Sequence, residues 1–125
     1  LLLTEVIRYN AAEQPAKMGT FPQYEYPHTL HRYAECARFC GVVEKDDAKA
    51  VQKFCDKIVE LKPTVGIKER IQDYNVSEED FLKTLDEMST NAFDDQCTGA
   101  NPRYPLMSEI KQMYLNAYYG KHVEV

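Results

Sequence analysis

The sequence has no basic cluster and no stripe of Arg or Lys; 15 basic residues stand against 20 acidic ones, for a net charge of -5. Phosphate neutralisation needs a positive patch, so nothing argues for nucleic-acid binding. No apolar run exceeds three residues, and Thr4-Glu5 follow Leu1-Leu2-Leu3 at once. Three residues can form neither a membrane-spanning helix nor the core of a signal peptide. The four cysteines, Cys36, Cys40, Cys55 and Cys97, contain no CxxC pair. In a core-forming rather than loop-rich sequence they are expected to be reduced thiols, and the chain is expected to be cytoplasmic. Cys36 and Cys40 are neighbours at i, i+4 of a helix, a placement that rarely permits a strain-free disulfide. No segment alternates apolar and polar residues long enough to predict a strand, and no repeat or low-complexity tract occurs.

What is present points to an ordered globular domain. The hydrophobic fraction is 44%, the charged fraction is 28%, and there are 9 Tyr and 5 Phe, more aromatics than disorder would give. A chain of 125 residues fits one domain that buries about two-thirds of its unfolded surface. Apolar residues recur at helical spacing in five segments, which predicts an all-α fold: a single bundle of about five helices spanning residues 1–125.

The first helix should run from Leu1 to about Asn10, with Leu2, Leu3, Val6 and Ile7 inward and Glu5 and Arg8 outward. It opens in mid-pattern without a capping residue, as the back half of a severed helix would. Residues 11–27 carry Pro15, Gly19, Pro22 and Pro27 and predict an ordered loop, anchored by Phe21, Tyr24 and Tyr26. A second helix should start near Pro27 and stop at Cys40 before Gly41, its inner stripe being Leu30, Tyr33, Ala34, Ala37 and Cys40. The third should span about Asp46 to Leu61, with Val51, Phe54, Cys55, Ile58 and Leu61 inward, Lys49, Lys53 and Lys57 solvated, and Pro63 and Gly66 ending it. Ser77 and Asp80 approximate a capping box for a fourth helix that buries Phe81, Leu85, Met88 and Ala92. The last should begin around Pro105, bury Leu106, Ile110, Met113 and Ala117 with Tyr114 and Tyr118 widening that face, and end at Gly120.

Few constellations carry chemistry. His28, His31, Cys36 and Cys40 are zinc-type ligands on paper, but the helical spacing turns the two histidines outward while Cys40 shares the buried face, and no standard finger has this order. Exposed histidines and structural cysteines are the plainer reading. Asp94 and Asp95 point in different directions and read as a helix-end charge pair rather than an acid and a base. The Thr98–Arg103 loop precedes a helix N-terminus and could attract an anion, yet it lacks a Gly-Lys-Ser/Thr ending; tethering of the loop to the core is favoured. Cys97 sits in a turn-rich segment with no Lys, Arg or His close to it in sequence, so an inert, partly buried thiol is the plainer reading.

The run Ala92-Phe93-Asp94-Asp95-Gln96-Cys97-Thr98-Gly99-Ala100-Asn101-Pro102-Arg103-Tyr104-Pro105 resembles the C-terminal helical domain of iron-dependent alcohol dehydrogenases, in their bifunctional aldehyde-alcohol dehydrogenase branch. The likeness extends through residues 106–112 and back to Val6-Ile7-Arg8-Tyr9-Asn10-Ala11. Such enzymes pair an N-terminal dinucleotide-binding domain with an all-helical C-terminal domain. A ferrous iron held by one aspartate and three histidines binds the aldehyde that NADH reduces. The His-Gly-x-x-Asn motif of the last iron ligand and the glycine-rich nucleotide loop are not in this sequence, and His28, His31 and His122 match no ligand position. The resemblance therefore assigns no catalytic, metal or NAD-binding residue here, and places only Cys97, as a residue lining the substrate pocket. It implies a C-terminal fragment of an enzyme that takes acetyl-CoA through acetaldehyde to ethanol in fermentation, inactive alone, forming one wall of the alcohol dehydrogenase cleft. Its partners would be the enzyme's own upstream domains and further copies in a filamentous homo-oligomer. The alternatives are a fragment of a single-function alcohol dehydrogenase, a stand-alone helical interaction module, and a metal-binding regulator built on His28, His31, Cys36 and Cys40.

Overall fold

Five α-helices and two short 3-10 turns account for the regular structure of the residues described by the computed structural model, 1–13 and 28–121, and no strand occurs among them. The helices are α1 (Leu3–Asn10), α2 (Thr29–Phe39), α3 (Asp47–Thr64), α4 (Glu78–Asp94) and α5 (Met107–Tyr119). The all-α expectation holds. The loop expected around Pro15 to Pro27, with its aromatic anchors, lies outside the described residues, as does His122.

Two helix pairs, α2 with α3 and α4 with α5, are joined by α1, which packs on both α3 and α5. The α2–α3 core gathers Ala34, Ala37, Ala50, Val51 and Cys55 with Ile7 of α1. Three alanines at fully buried positions let the two helix backbones approach closely. The α4–α5 core holds Phe81, Leu85, Leu115 and Tyr118, with Ile71 packed against it. The Phe81 and Tyr118 rings stack with centroids 4.2 Å apart, and the Tyr118 hydroxyl donates to the Val76 carbonyl at 2.9 Å. A buried aromatic pair keeps a hydrogen-bonded polar tip in this way.

Local chemistry sets the helix ends. Asp46 accepts the Lys49 amide at 2.8 Å and starts α3; Ser77 accepts the Asp80 amide at 3.2 Å and starts α4. Each side chain satisfies an amide that the first turn leaves without a partner. α2 closes at Gly41, whose φ of 89° lets Val42 donate to the Ala37 carbonyl and Gly41 to that of Arg38. This is the left-handed helix stop expected there.

Several inward faces differ from the sequence reading. In α1 the buried residues are Thr4, Ile7 and Asn10, whereas Leu3 is 56% exposed. The expected Leu-rich face failed because position relative to α3 and α5, not apolarity, decides burial. In α2, Cys40 is exposed, since it is the cap residue beyond the last helical turn. α3 runs through Pro63 to Thr64, where Ile67 donates back to the Lys62 carbonyl and closes the end. The stripe Val51, Cys55, Ile58 continues to position 62, so Lys62 is buried along its stem and Leu61 is 55% exposed. α2 starts at Thr29 after His28, and α5 starts after Leu106, which is exposed, while Leu115 joins the core. Met88 and Ala92 of α4 are half-buried; Ser89, donating to the Leu85 carbonyl, is the buried neighbour.

Candidate functional site

The Cys97 segment is fixed by a polar cluster that reaches back to the end of α1. Arg103 donates to the Tyr9 carbonyl at 2.9 Å, and its guanidinium lies 4.2 Å from the centre of the Tyr9 ring. The Tyr9 hydroxyl donates to the Glu109 carboxylate at 2.7 Å, and the same carboxylate accepts the Leu106 amide at 2.7 Å. One acidic side chain therefore both starts α5 and holds α1 against it. Burial and the adjacent Glu109 carboxylate raise the Tyr9 pKa above the ordinary phenol value and keep it a donor. Beside this, Asn10 and Asn101 exchange amide hydrogen bonds at 3.0 and 2.7 Å. Asn10 is only 3% exposed, a burial that its amide partner makes tolerable.

Between α1 and this segment lies an apolar groove of about 300 Å³. Its greasy walls are Leu2 and Val6 ahead of and along α1, Ala92 of α4, Pro105, and Ile110 and Met113 of α5. Cys97, an exposed free thiol, reaches the groove next to Thr98, and Tyr9, Asn10 and Asn101 complete that side. No charged side chain lines it. Cys97 precedes a 3-10 turn, Thr98–Ala100; its amide donates to the Asp95 carboxylate at 2.7 Å, and the Thr98 hydroxyl donates to the Ala92 carbonyl. These bonds fix the thiol's backbone at the end of α4.

The other sequence candidates separate. Asp94 and Asp95 are exposed at the end of α4, and Asp95 caps the following turn. Arg103 is engaged by Tyr9 and lies 4.0 Å from Glu109, so the Thr98–Arg103 loop is tethered to the core. His28 and His31 are exposed, and His31 Nδ1 lies 2.8 Å from the Asp47 carboxylate. Cys36 is exposed on α2, and Cys55, fully buried, has its thiol pKa raised by burial. Among the described residues no three His, Cys, Asp or Glu side chains gather as a metal-binding group.

The model of the Fe-containing alcohol dehydrogenase family, C-terminal, matches residues 1–118. The chain belongs to this family. It is 48% identical over 118 residues to the aldehyde-alcohol dehydrogenase of Clostridium acetobutylicum, covering 94% of this chain and 14% of that protein. It is 47% identical over 123 residues to the bifunctional aldehyde-alcohol dehydrogenase of Escherichia coli K12, covering 97% and 14%. An alcohol dehydrogenase of Thermococcus barophilus is 38% identical over 88 residues, covering 70% and 21%. The chain thus spans about one-seventh of the length of the first two of these relatives. The Cys97 segment and the end of α1 meet in one cluster, a link that residue spacing alone could not reveal. No described helix is long and apolar enough to cross a membrane.

Proposed function

We propose that the chain is the C-terminal helical part of a bifunctional aldehyde-alcohol dehydrogenase and forms one wall of its alcohol dehydrogenase cleft. The observation that carries this is the uncharged groove holding Cys97, in a chain whose 1–118 residues match the family's C-terminal part. The reaction of the whole protein would move a hydride from NADH to the carbonyl carbon of an aldehyde and a proton to its oxygen, giving an alcohol and NAD⁺. Iron and the nucleotide would be held by parts of the enzyme other than these residues. The chain's contribution is to exclude water beside the reacting carbon, with Cys97 lining the substrate pocket rather than reacting. Leu1 and Leu3, 40% and 56% exposed, supply apolar surface for the enzyme's own upstream domains. Self-association into a filament, and a place in cytoplasmic fermentation, follow from the same reading.

The test uses the full-length polypeptide of the reading frame that contains these residues, loaded with ferrous iron. It should oxidise NADH with acetaldehyde, and with acetyl-CoA if the parent is bifunctional. Acetaldehyde reduction without acetyl-CoA reduction would favour a single-function enzyme such as the Thermococcus barophilus relative. The 125-residue chain alone should neither bind NADH nor turn over; turnover by it would overturn the proposal.

A further inference from the structure

Lys62 is a buried charge that the fold leaves unanswered. Only 9% of it is exposed, yet among the described residues no hydrogen bond or ion pair engages its ammonium. A cation taken that far out of water is costly unless a counter-charge or an acceptor stands beside it. Lys62 lines a polar cleft of about 200 Å³ between the start of α1, the end of α3 and the end of α5. This cleft shares no lining residue with the groove at Cys97.

The rest of the lining decides what the cleft takes. Glu5 does not answer Lys62, because its two carboxylate oxygens accept from Arg8 at 3.1 Å and from Asn116 at 2.9 Å. Arg8 neutralises Glu5 and keeps guanidinium N–H groups beyond the one it gives. The other acid is Glu69, which is exposed on the segment after α3 and forms no ion pair among the described residues. Positive charge is thus in excess within the walls, and the unpaired negative charge sits at the rim.

We propose that this cleft binds a small oxyanion, a carboxylate or phosphate group, held by the Lys62 ammonium with Arg8 beside it. Such an anion gives Lys62 the charge-assisted hydrogen bonds that no described side chain supplies. The cleft has room for acetate or inorganic phosphate, each of which displaces only a few water volumes of ~30 Å³. An anion seated there ties α1, α3 and α5 together at the end of α1 opposite the one that meets Arg103. The site stands whether or not the groove takes an aldehyde.

The test reads Lys62 directly in the full-length polypeptide. Reductive methylation of lysines is followed peptide by peptide by mass spectrometry, with sodium phosphate or sodium acetate exchanged for sodium chloride at constant ionic strength. Either anion should slow methylation of Lys62 about threefold or more near saturation, while the exposed Lys57 on the same helix labels at an unchanged rate. Protection by phosphate alone identifies a phosphate group as the occupant, by acetate alone a carboxylate, and by both any small oxyanion. Glu69→Gln, a change at an exposed rim residue that leaves folding intact, should lower the half-protecting concentration about two- to fivefold. No selective protection of Lys62, no labelling of Lys62 even without the anions, or a half-protecting concentration that Glu69→Gln leaves unmoved or raises, overturns the site.

Discussion

Single side chains carry unequal weight in this fold, and Tyr9 shows why. Its hydroxyl satisfies a carboxylate that also starts α5 and its ring supports Arg103. Tyr9→Phe should cost about 1–3 kcal/mol in urea unfolding, because Glu109 loses a partner in a half-buried place; a loss below a few tenths would show that solvent replaces the bond. Gly120 has a φ of 73°, and a Cβ there would lie 2.6 Å from the Arg70 side chain. Gly120→Ala is therefore expected to destabilise by about 1 kcal/mol or more, and an unchanged melting temperature would contradict that. At this scale the sequence told little about the site. Cys97 could be singled out by its motif, but the Asn10–Asn101 pair and the Arg103 bond to Tyr9 join residues 91 and 94 apart. Nothing local marks an asparagine as another asparagine's partner.

Helices were far more legible than their faces. Apolar spacing gave all five, and the residues that end them, Asp46, Ser77, Gly41 and Gly120, do so by local bonds that a short window contains. Ser77→Ala should accordingly lower stability by about 1 kcal/mol, seen as a matching drop in helical signal on thermal unfolding. Faces depend on what lies opposite. Leu61 and Lys62 differ by one position, yet the lysine is buried and the leucine 55% exposed, so the direction a position faces, not hydrophobicity, decides. Likewise Leu3 points to solvent and Asn10 inward. At the centre of the α4–α5 pair, Leu85 is 2% exposed, so Leu85→Ala should cost about 2–5 kcal/mol; a smaller loss would mean that Phe81 and Tyr118 collapse into the space.

Across the molecule, surface ion pairs tie α2 to α3 and make stability depend on pH. Lys53, with help from the Asp46 amide, lowers the Glu44 pKa to about 2; His31 and then Arg38 hold Asp47 below the usual carboxylate range. Both folded-state values are depressed, so the stabilisation is present above the ordinary carboxylate pKa and is lost as pH falls from about 4.5 toward 2. Thermal unfolding should show a falling midpoint in that window, and Glu44→Gln should flatten part of the fall; an identical acid profile would remove Glu44 from the account. The same whole-molecule view gives α1 a further meaning. Its bonds to Arg103, Glu109 and Asn116 span 94, 100 and 111 residues. At about 5–20 residues per second of synthesis, α1 waits on the ribosome for roughly 5–20 seconds before its last partners exist. Until then Ile7 and Asn10 lack part of their cover. Of the five described helices, the one made earliest thus completes its contacts only when the last has been made.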